Sequence, residues 1–381
     1  MTKREVIVKA IEKRITWLQA ADILGITARH MRRVRAIFEK HGWGGLRDGR
    51  VGNTRRKRIP VKTIEKLCQL RREKYADFSV KHFHERATEQ HGIELSYTWT
   101  KQVLQAAGLA EKAPGRGKYR RKRERRPMIG MLLHLDASTH RWIPDLPMQD
   151  LVVALDDADG RILYAKFVEQ EGTLSTMEAL WHVLTKYGRF CELYTDRGSH
   201  FCKTSRAGHD PDDEQMGQVT RVLKALGIRQ ILARSPEARG RSERAFGTIQ
   251  GRLPQELRAA GITSYGAAQR YLTELFVPDF NKRFTVAPAQ RESAFTKVPT
   301  TDLRLLLSAQ QERVVRKDNT VSLDGLTLQI EPTRERRHFI RCPVTVHRFF
   351  DGTLGISYQG RLIRSFDSHG EGIRAVLARA A

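Results

Sequence analysis

The run Met-Leu-Leu-His-Leu-Asp-Ala at 131–137 constrains this chain most. It is apolar enough to be a buried strand, yet it carries one acid, Asp136, near its end. A carboxylate in such a place costs several kcal/mol unless a partner offsets it: a buried Arg, His134, or a cation. A second apolar run around Phe190, Cys191 and Leu193 ends in Tyr194-Thr195-Asp196-Arg197-Gly198, which puts Asp196 at the C-terminal edge of a strand. A third, 228–232, leads through Ser235-Pro236-Glu237-Ala238-Arg239-Gly240-Arg241 into a helix expected to start at Ser242 or Glu243. Carboxylates that converge repel each other unless cations lie between them. A pair of hard Mg²⁺ ions about 3.5–4 Å apart relieves that repulsion and clamps the attacking and leaving oxygens of a phosphodiester displacement.

Each acid has a plainer reading. Asp136 could pair with His134, and Asp196 could simply start a turn before Gly198. Glu243 has a rival in Glu237, which sits beside Pro236 in a loop, whereas Glu243 opens a helix. The acids at 210–214 read as a solvated loop, and Asp156-Asp157-Ala158-Asp159-Gly160 as a hairpin turn; it lacks the distal acid of a calcium loop. His134 and His200 are possible DNA contacts or, more commonly, satisfied structural histidines.

The net charge of +25 over 381 residues is the footprint of a polyanion-binding protein, with nucleic acid the leading partner. Four scattered cysteines exclude a disulfide framework or zinc finger, and Cys68 and Cys191 are expected in cores. No signal-like segment opens the sequence and no apolar run approaches about 18 residues, so no membrane span is expected.

Along the chain, residues 1–52 read as a helix-turn-helix domain. Gly25 makes the turn, Thr27 caps the next helix, and that helix sets Arg29, His30, Arg32, Arg33 and Arg35 beside an apolar Met31, Val34 and Phe38 face. An Arg-rich arm, with Arg55, Arg56, Lys57 and Arg58, leads into a second helical, helix-turn-helix-like domain over 53–110. The segment 111–127 is a basic linker with Arg120, Arg121, Lys122 and Arg123; it cannot bury a core and suits phosphates. Residues 128–285 alternate as βββαβαβα, a mixed five-stranded α/β sheet of ribonuclease-H-like order. A linker, 286–308, precedes a small all-β barrel over 309–367 with DNA contact as its expected role, and 368–381 form a tail.

Asp136 within its strand, Thr-Asp-Arg-Gly, Ser-Pro and Gly-Arg-Ser-Glu-Arg together resemble the catalytic core of the DDE transposases and retroviral-type integrases. The likeness is nearest to bacterial insertion-sequence transposases of the ISNCY type. Leu135 to Trp142, Ala154 to Gly160 and Phe280-Asn281-Lys282-Arg283-Phe284 support it, although the gap between Asp196 and Glu243 is longer than in many integrases. The resemblance implies catalytic and metal-binding roles for Asp136, Asp196 and Glu243 with two Mg²⁺ ions, for which Mn²⁺ can substitute. It also implies phosphate contacts by Arg197, Arg241 and Arg244, and double-stranded DNA as partner, both element terminal inverted repeats and target. A homodimer or higher multimer on DNA, a cytoplasmic, nucleoid-associated location, and no small-molecule substrate complete the expectation. Two other readings remain open: a non-catalytic DNA-binding regulator, and a metal-dependent ribonuclease-H-like nuclease.

Overall fold

The structure is a computed structural model that describes residues 1–46, 59–111, 124–198, 201, 217–233, 240–298, 302–333 and 336–373. They fall in two compact units, Met1–Lys66 and Leu67–Ala381.

In the first unit, three helices, α1 (Lys3–Ile11), α2 (Trp17–Ile23) and α3 (Ala28–Gly45), start at Thr2, Thr16 and Thr27, whose hydroxyls accept from amides of the first turn. Gly25 takes the left-handed conformation between α2 and α3 that a side chain would resist. Val6, Ile7, Ala10, Ala20, Ala21, Met31 and Val34 make a small core. Burying Met31 and Val34 turns Arg29, His30, Arg32, Arg33 and Arg35 to solvent.

The second unit continues from α4 (Val61–Glu73) through α5 (Val80–His91) and α6 (Tyr97–Ala106), packed around Leu67, Tyr75, Phe78, Phe83 and Leu104. Next comes the sheet. Strands β1 (Leu132–His140), β2 (Gln149–Asp156) and β3 (Ile162–Val168) form an antiparallel meander, and α7 (Thr173–Lys186) crosses over to β4 (Glu192–Thr195). α8 (Gln218–Ala225) then leads to β5 (Arg229–Leu232), and the strand order is β3-β2-β1-β4-β5 with β1, β4 and β5 parallel. This is the mixed five-stranded sheet and βββαβαβα succession expected from the sequence. Leu133, Leu135 and Leu193 face α7 and α8; Leu151, Val153 and Leu155 face α9 (Gly240–Gln250), α10 (Leu253–Ala259), α11 (Tyr265–Tyr271) and α12 (Val277–Phe284). A π-helical turn, Leu272–Phe276, joins α11 to α12. Asn281 closes the edge of β3 by accepting from the amide and donating to the carbonyl of Ile162, at 2.8 and 2.9 Å.

Beyond α12 the chain bridges Ile129 to Ser293 and Arg189 to Thr296, and α13 (Leu303–Leu306) begins at Leu303, which is buried with Leu307 in the α7/α8 core. The C-terminal strands are β6 (Ala309–Val314), β7 (Thr320–Leu323), β8 (Leu326–Gln329), β9 (Pro343–Arg348), β10 (Leu354–Tyr358), β11 (Arg361–Phe366) and β12 (Gly372–Ile373). The sequence predicts a small antiparallel barrel or sheet here, the barrel preferred. The described strands instead form an open antiparallel sheet, β12-β11-β10-β9-β6, plus the separate hairpin β7-β8. Asp324 and Gly325 turn that hairpin, both at positive φ, as a two-residue turn of this hand requires. Cys191, expected in a core, is exposed just before β4, whereas Cys68 and Cys342 are buried.

The helical layer 67–110 is fastened to α10 and α12 by one face of α5. His82, Glu85, Arg86 and Glu89 recur at helical spacing. His82 Nε2 and Arg86 Nη2 reach Glu256 Oε1 at 2.8 and 2.7 Å, and Tyr271 donates to Glu256 Oε2 at 2.9 Å. Arg252 meets Glu85 at 2.8 Å and Arg283 meets Glu89 at 2.7 Å. Burial by itself would raise the Glu256 carboxyl, but the hydrogen bonds and charges of His82 and Arg86 outweigh it and hold the group at about 2. Its ordinary value is 4.5, so its stabilising contribution is complete above that pH and is lost as the pH falls toward 2. Glu256→Gln, which takes the nearest counter-charge from Arg86 and leaves it only Glu89 and Asp279 at 3.8 and 3.9 Å, is expected to cost about 3 kcal/mol at pH 7. Urea unfolding followed by tryptophan fluorescence checks this, and the deficit against wild type should shrink below pH 4.

Candidate active site

The register of the β1–β4 pair organises the site. Leu132, Leu133 and His134 lie opposite Glu192, Leu193 and Tyr194. Carried two residues further, the register sets Asp136 opposite Asp196, on strands about 4.8 Å apart. Side chains alternate along a strand, so both acids share the face on which the His134 and Tyr194 rings meet at 5.2 Å. Each is half-buried, and Oδ1 of each accepts a backbone amide: Ala137 at 2.9 Å for Asp136, Gly198 at 2.8 Å for Asp196. The turn-forming role of Asp196 and its place beside Asp136 therefore coexist.

The third acid comes from α9, which packs along β1 on that face. The helix begins at Gly240, ahead of the expected Ser242 or Glu243, so Glu243 sits inside its first turn, where the helix dipole favours a negative charge. Ser242, Phe246 and Ile249 turn into the core. Glu243, Gly247 and Gln250 form the neighbouring stripe, and Gln250 Nε2 donates to Ser138 Oγ on β1 at 2.7 Å. At the other end of the helix, Arg241 reaches Asp157, the partner of His134. α9 is thus pinned to β1 on both sides of Asp136, with Glu243 between the pins on the stripe bordering the strand. Its side chain is exposed.

Among the described residues no three His, Cys, Asp or Glu side chains lie close enough together to hold a metal ion. Asp136, Asp196 and Glu243 are therefore not drawn into one closed ligand set. The donor chemistry still fits a hard divalent cation: carboxylate oxygens only, no thiolate, and two of the three groups side by side on adjacent strands.

The acids of the 156–160 turn, which the sequence reads as hairpin residues, are buried. Burial pushes the Asp156 carboxyl up to about 6, against hydrogen bonds from the Gly130 and Ala158 amides and with added repulsion from Asp159 and Asp157. Asp157 goes the other way. Burial would raise it, but His134 Nε2 at 2.8 Å, the Arg126 amide at 2.8 Å and the Arg241 guanidinium at 3.1 Å hold it below the usual carboxylate range. His134 is thereby the satisfied structural histidine. The aspartates of this turn are locally signalled as turn formers, and Asp159 Oδ1 does accept from Arg161 N at 2.8 Å. Nothing local in the sequence signals the distant partners of Asp157.

Of the other candidate residues, Arg197 follows Asp196 and is half-buried, and Arg244 is exposed beside Glu243. Arg35 is paired with Glu39 at 2.6 Å and lies over the Trp17 ring. Arg55, Arg56, Lys57, Arg58, Arg120, Arg121, Lys122, Arg123, His200 and Glu237 lie outside the described residues.

No protein-family model matches the chain. Two curated proteins do, over almost all of it. The provisionally assigned transposase y4bF of Sinorhizobium fredii (strain NBRC 101917 / NGR234) is 29% identical over 371 residues, 95% of this chain and 80% of that protein. The transposase for insertion sequence IS1202 of Streptococcus pneumoniae is 25% identical over 403 residues, covering 95% and 85%. Over almost its whole length the chain is thus similar to two proteins named as transposases. Solved structures with a looser likeness include the simian T-cell lymphotropic virus intasome in complex with PP2A regulatory subunit B56 gamma. It overlaps 79% of this chain and 99% of that one at 15% identity and a TM-score of 0.35. The HTLV-2 integrase catalytic core in complex with magnesium overlaps 39% and 89% at 16% identity and a TM-score of 0.29.

The pin between Gln250 and Ser138 is a single hydrogen bond. Gln250→Ala is expected to lower stability by about 1 kcal/mol. Hydrogen exchange should quicken at the amides of the last turn of α9 while those of α7 stay protected.

Proposed function

We propose that the chain is a DNA transposase that cuts at the ends of an insertion sequence and joins the freed 3′-hydroxyl to target DNA. The observation that supports this is the β1–β4 pairing: continued two residues past His134 and Tyr194, it brings Asp136, within β1, level with Asp196, just after β4, next to a helix that carries a third acid. Asp136, Asp196 and Glu243 would hold two divalent ions, Mg²⁺ by preference. When bound, such ions polarise the scissile phosphate and stabilise charge on the attacking and leaving oxygens. The protein residues hold the geometry. β1 carries Asp136, the end of β4 leads into Asp196, and α9, packed on β1, carries Glu243. Arg244, exposed on the next position of α9, and Arg197, next to Asp196, provide positive charge for the flanking phosphates.

In the first unit, the exposed Arg29, His30, Arg32, Arg33 and Arg35 of α3 suit the reading of terminal inverted repeats in a major groove, the helix docking through Met31 and Val34. The net charge of +25 suits the remaining phosphate contacts. Pairing two element ends calls for at least a dimer on DNA. No described helix is long and apolar enough to cross a membrane.

The test is cleavage and joining of end-containing oligonucleotides in Mg²⁺. Asp136→Ala, Asp196→Ala and Glu243→Ala are each expected to lose at least a hundredfold in rate, the loss of several kcal/mol of charge stabilisation, and to keep wild-type end binding. Hydrolysis without joining would instead indicate a nuclease, and end binding with no cleavage by wild type a regulator. For the first unit, Arg32→Ala with Arg33→Ala should weaken end binding and flatten its dependence on log salt, measured by fluorescence anisotropy. The slope should fall by about 0.9 for each phosphate that the variant no longer neutralises.

A further inference from the structure

Asp157 has no part in the chemistry above, yet two of the three acid-bearing elements, β1 and α9, are tied to it. Its side chain is fully buried just past the end of β2. Oδ1 accepts from His134 Nε2 at 2.8 Å and from Arg241 Nη1 at 3.1 Å. The same Arg241 nitrogen donates to the Asp157 carbonyl at 2.7 Å, so the guanidinium is held at two points. Oδ2 accepts from the Arg126 amide at 2.8 Å, and Arg125 Nη1 donates to the Asp157 carbonyl at 3.1 Å. The Asp157 amide donates to the Leu132 carbonyl at 2.9 Å, which fixes the group against the start of β1.

The spacing gives these contacts their meaning. His134 lies two residues before Asp136 on the same face of β1. Arg241 lies two residues before Glu243 in the first turn of α9. One carboxylate therefore grips both β1 and α9, in each case two residues upstream of a candidate metal-binding acid. A buried ion pair adds little net stability, since apolar replacements often do as well, but it specifies one geometry where apolar contacts allow several.

We propose that Asp157 is a positioning residue of the strand-transfer centre: by holding His134 and Arg241 together it sets where Glu243 stands relative to Asp136. This rests on the reading of Glu243 as the third acid. A misplacement of about 1 Å in such a centre is enough to cost on the order of 10²-fold in rate. A merely structural Asp157 would affect stability alone.

The experiment uses the full-length protein with Asp157→Asn, Arg241→Gln and Arg241→Lys. Three readouts are taken: single-turnover end cleavage at saturating DNA across a Mg²⁺ titration, DNA affinity, and hydrogen exchange of the α9 amides. Asp157→Asn is expected to cleave about 10²-fold more slowly with unchanged DNA affinity, and Arg241→Gln to slow cleavage to a similar extent. Half-saturating Mg²⁺ should rise roughly tenfold or more, the usual effect of releasing a group that orients a ligand. Exchange in the first turn of α9 should quicken while α7 stays protected, and Arg241→Lys should recover part of the loss. Wild-type Mg²⁺ dependence together with wild-type exchange in α9 would overturn the proposal. If Asp157→Asn does not fold, Arg241→Gln carries the same test, because it leaves the His134–Asp157 pair in place. Glu243→Gln is run alongside. If it cleaves like wild type, the assignment of Glu243 is what fails, and the α9 exchange data still decide whether Asp157 anchors the helix.

Discussion

The parallel pairing of β1 with β4 is the interaction on which the rest of the site depends. The two strands are remote in sequence, and parallel neighbours cannot be joined by a tight turn, so the chain makes a crossover through α7 to bring them together. The antiparallel meander β1-β2-β3 makes one side of the sheet stiff, and β1 sits at its middle with pairing on both edges. Leu133, Leu135 and Leu193 hold the register from the α7/α8 face, because a slip by one residue would turn them all out of the core. The same register turns Asp136, within β1, and Asp196, just past the end of β4, to the opposite face. Open α/β sheets place their ligand sites at such strand ends.

The second element of the site is a helix with two different stripes. Ser242, Phe246 and Ile249 commit α9 to the core, and this leaves Glu243 on the flank beside β1. The acids stand in a protein of strongly positive charge, so mutual repulsion at the centre is set against a field that favours a polyanion and the cations it carries. Asp157 shows the opposite solution for a buried carboxylate. It is satisfied from within, by His134, Arg126 and Arg241, and is kept ionised by them.

Much of this was legible in the residues, where local physics decides. The strand at 162–168, the apolar stripe of α7, the Thr27 cap and the Asp324-Gly325 turn all follow from periodicity, capping and backbone preference, and each is found. What was not legible is long-range. The turn chemistry of Asp156 to Gly160 is visible in sequence, but the pairing of buried Asp157 with Arg241 draws on a helix far downstream. The pairs of His82 and Arg86 with Glu256, and of Glu85 with Arg252, join segments whose charges taken singly look like ordinary solvated helix faces. The C-terminal runs have the alternation of strands, yet alternation does not say whether a sheet closes, and here the described strands leave it open. For the acids, the sequence supplies the candidates and the strand register supplies the neighbourhood of two of them.

The charged face of α5 has a mechanical consequence. Residues 67–110 are welded to α10 and α12 by ion pairs, the innermost of them buried, so their distance from the sheet is set by the protein body. The lobe behaves as a fixed arm of a calliper whose other jaw is the sheet. The arm cannot swing away from the strands without first breaking the Glu256 cluster.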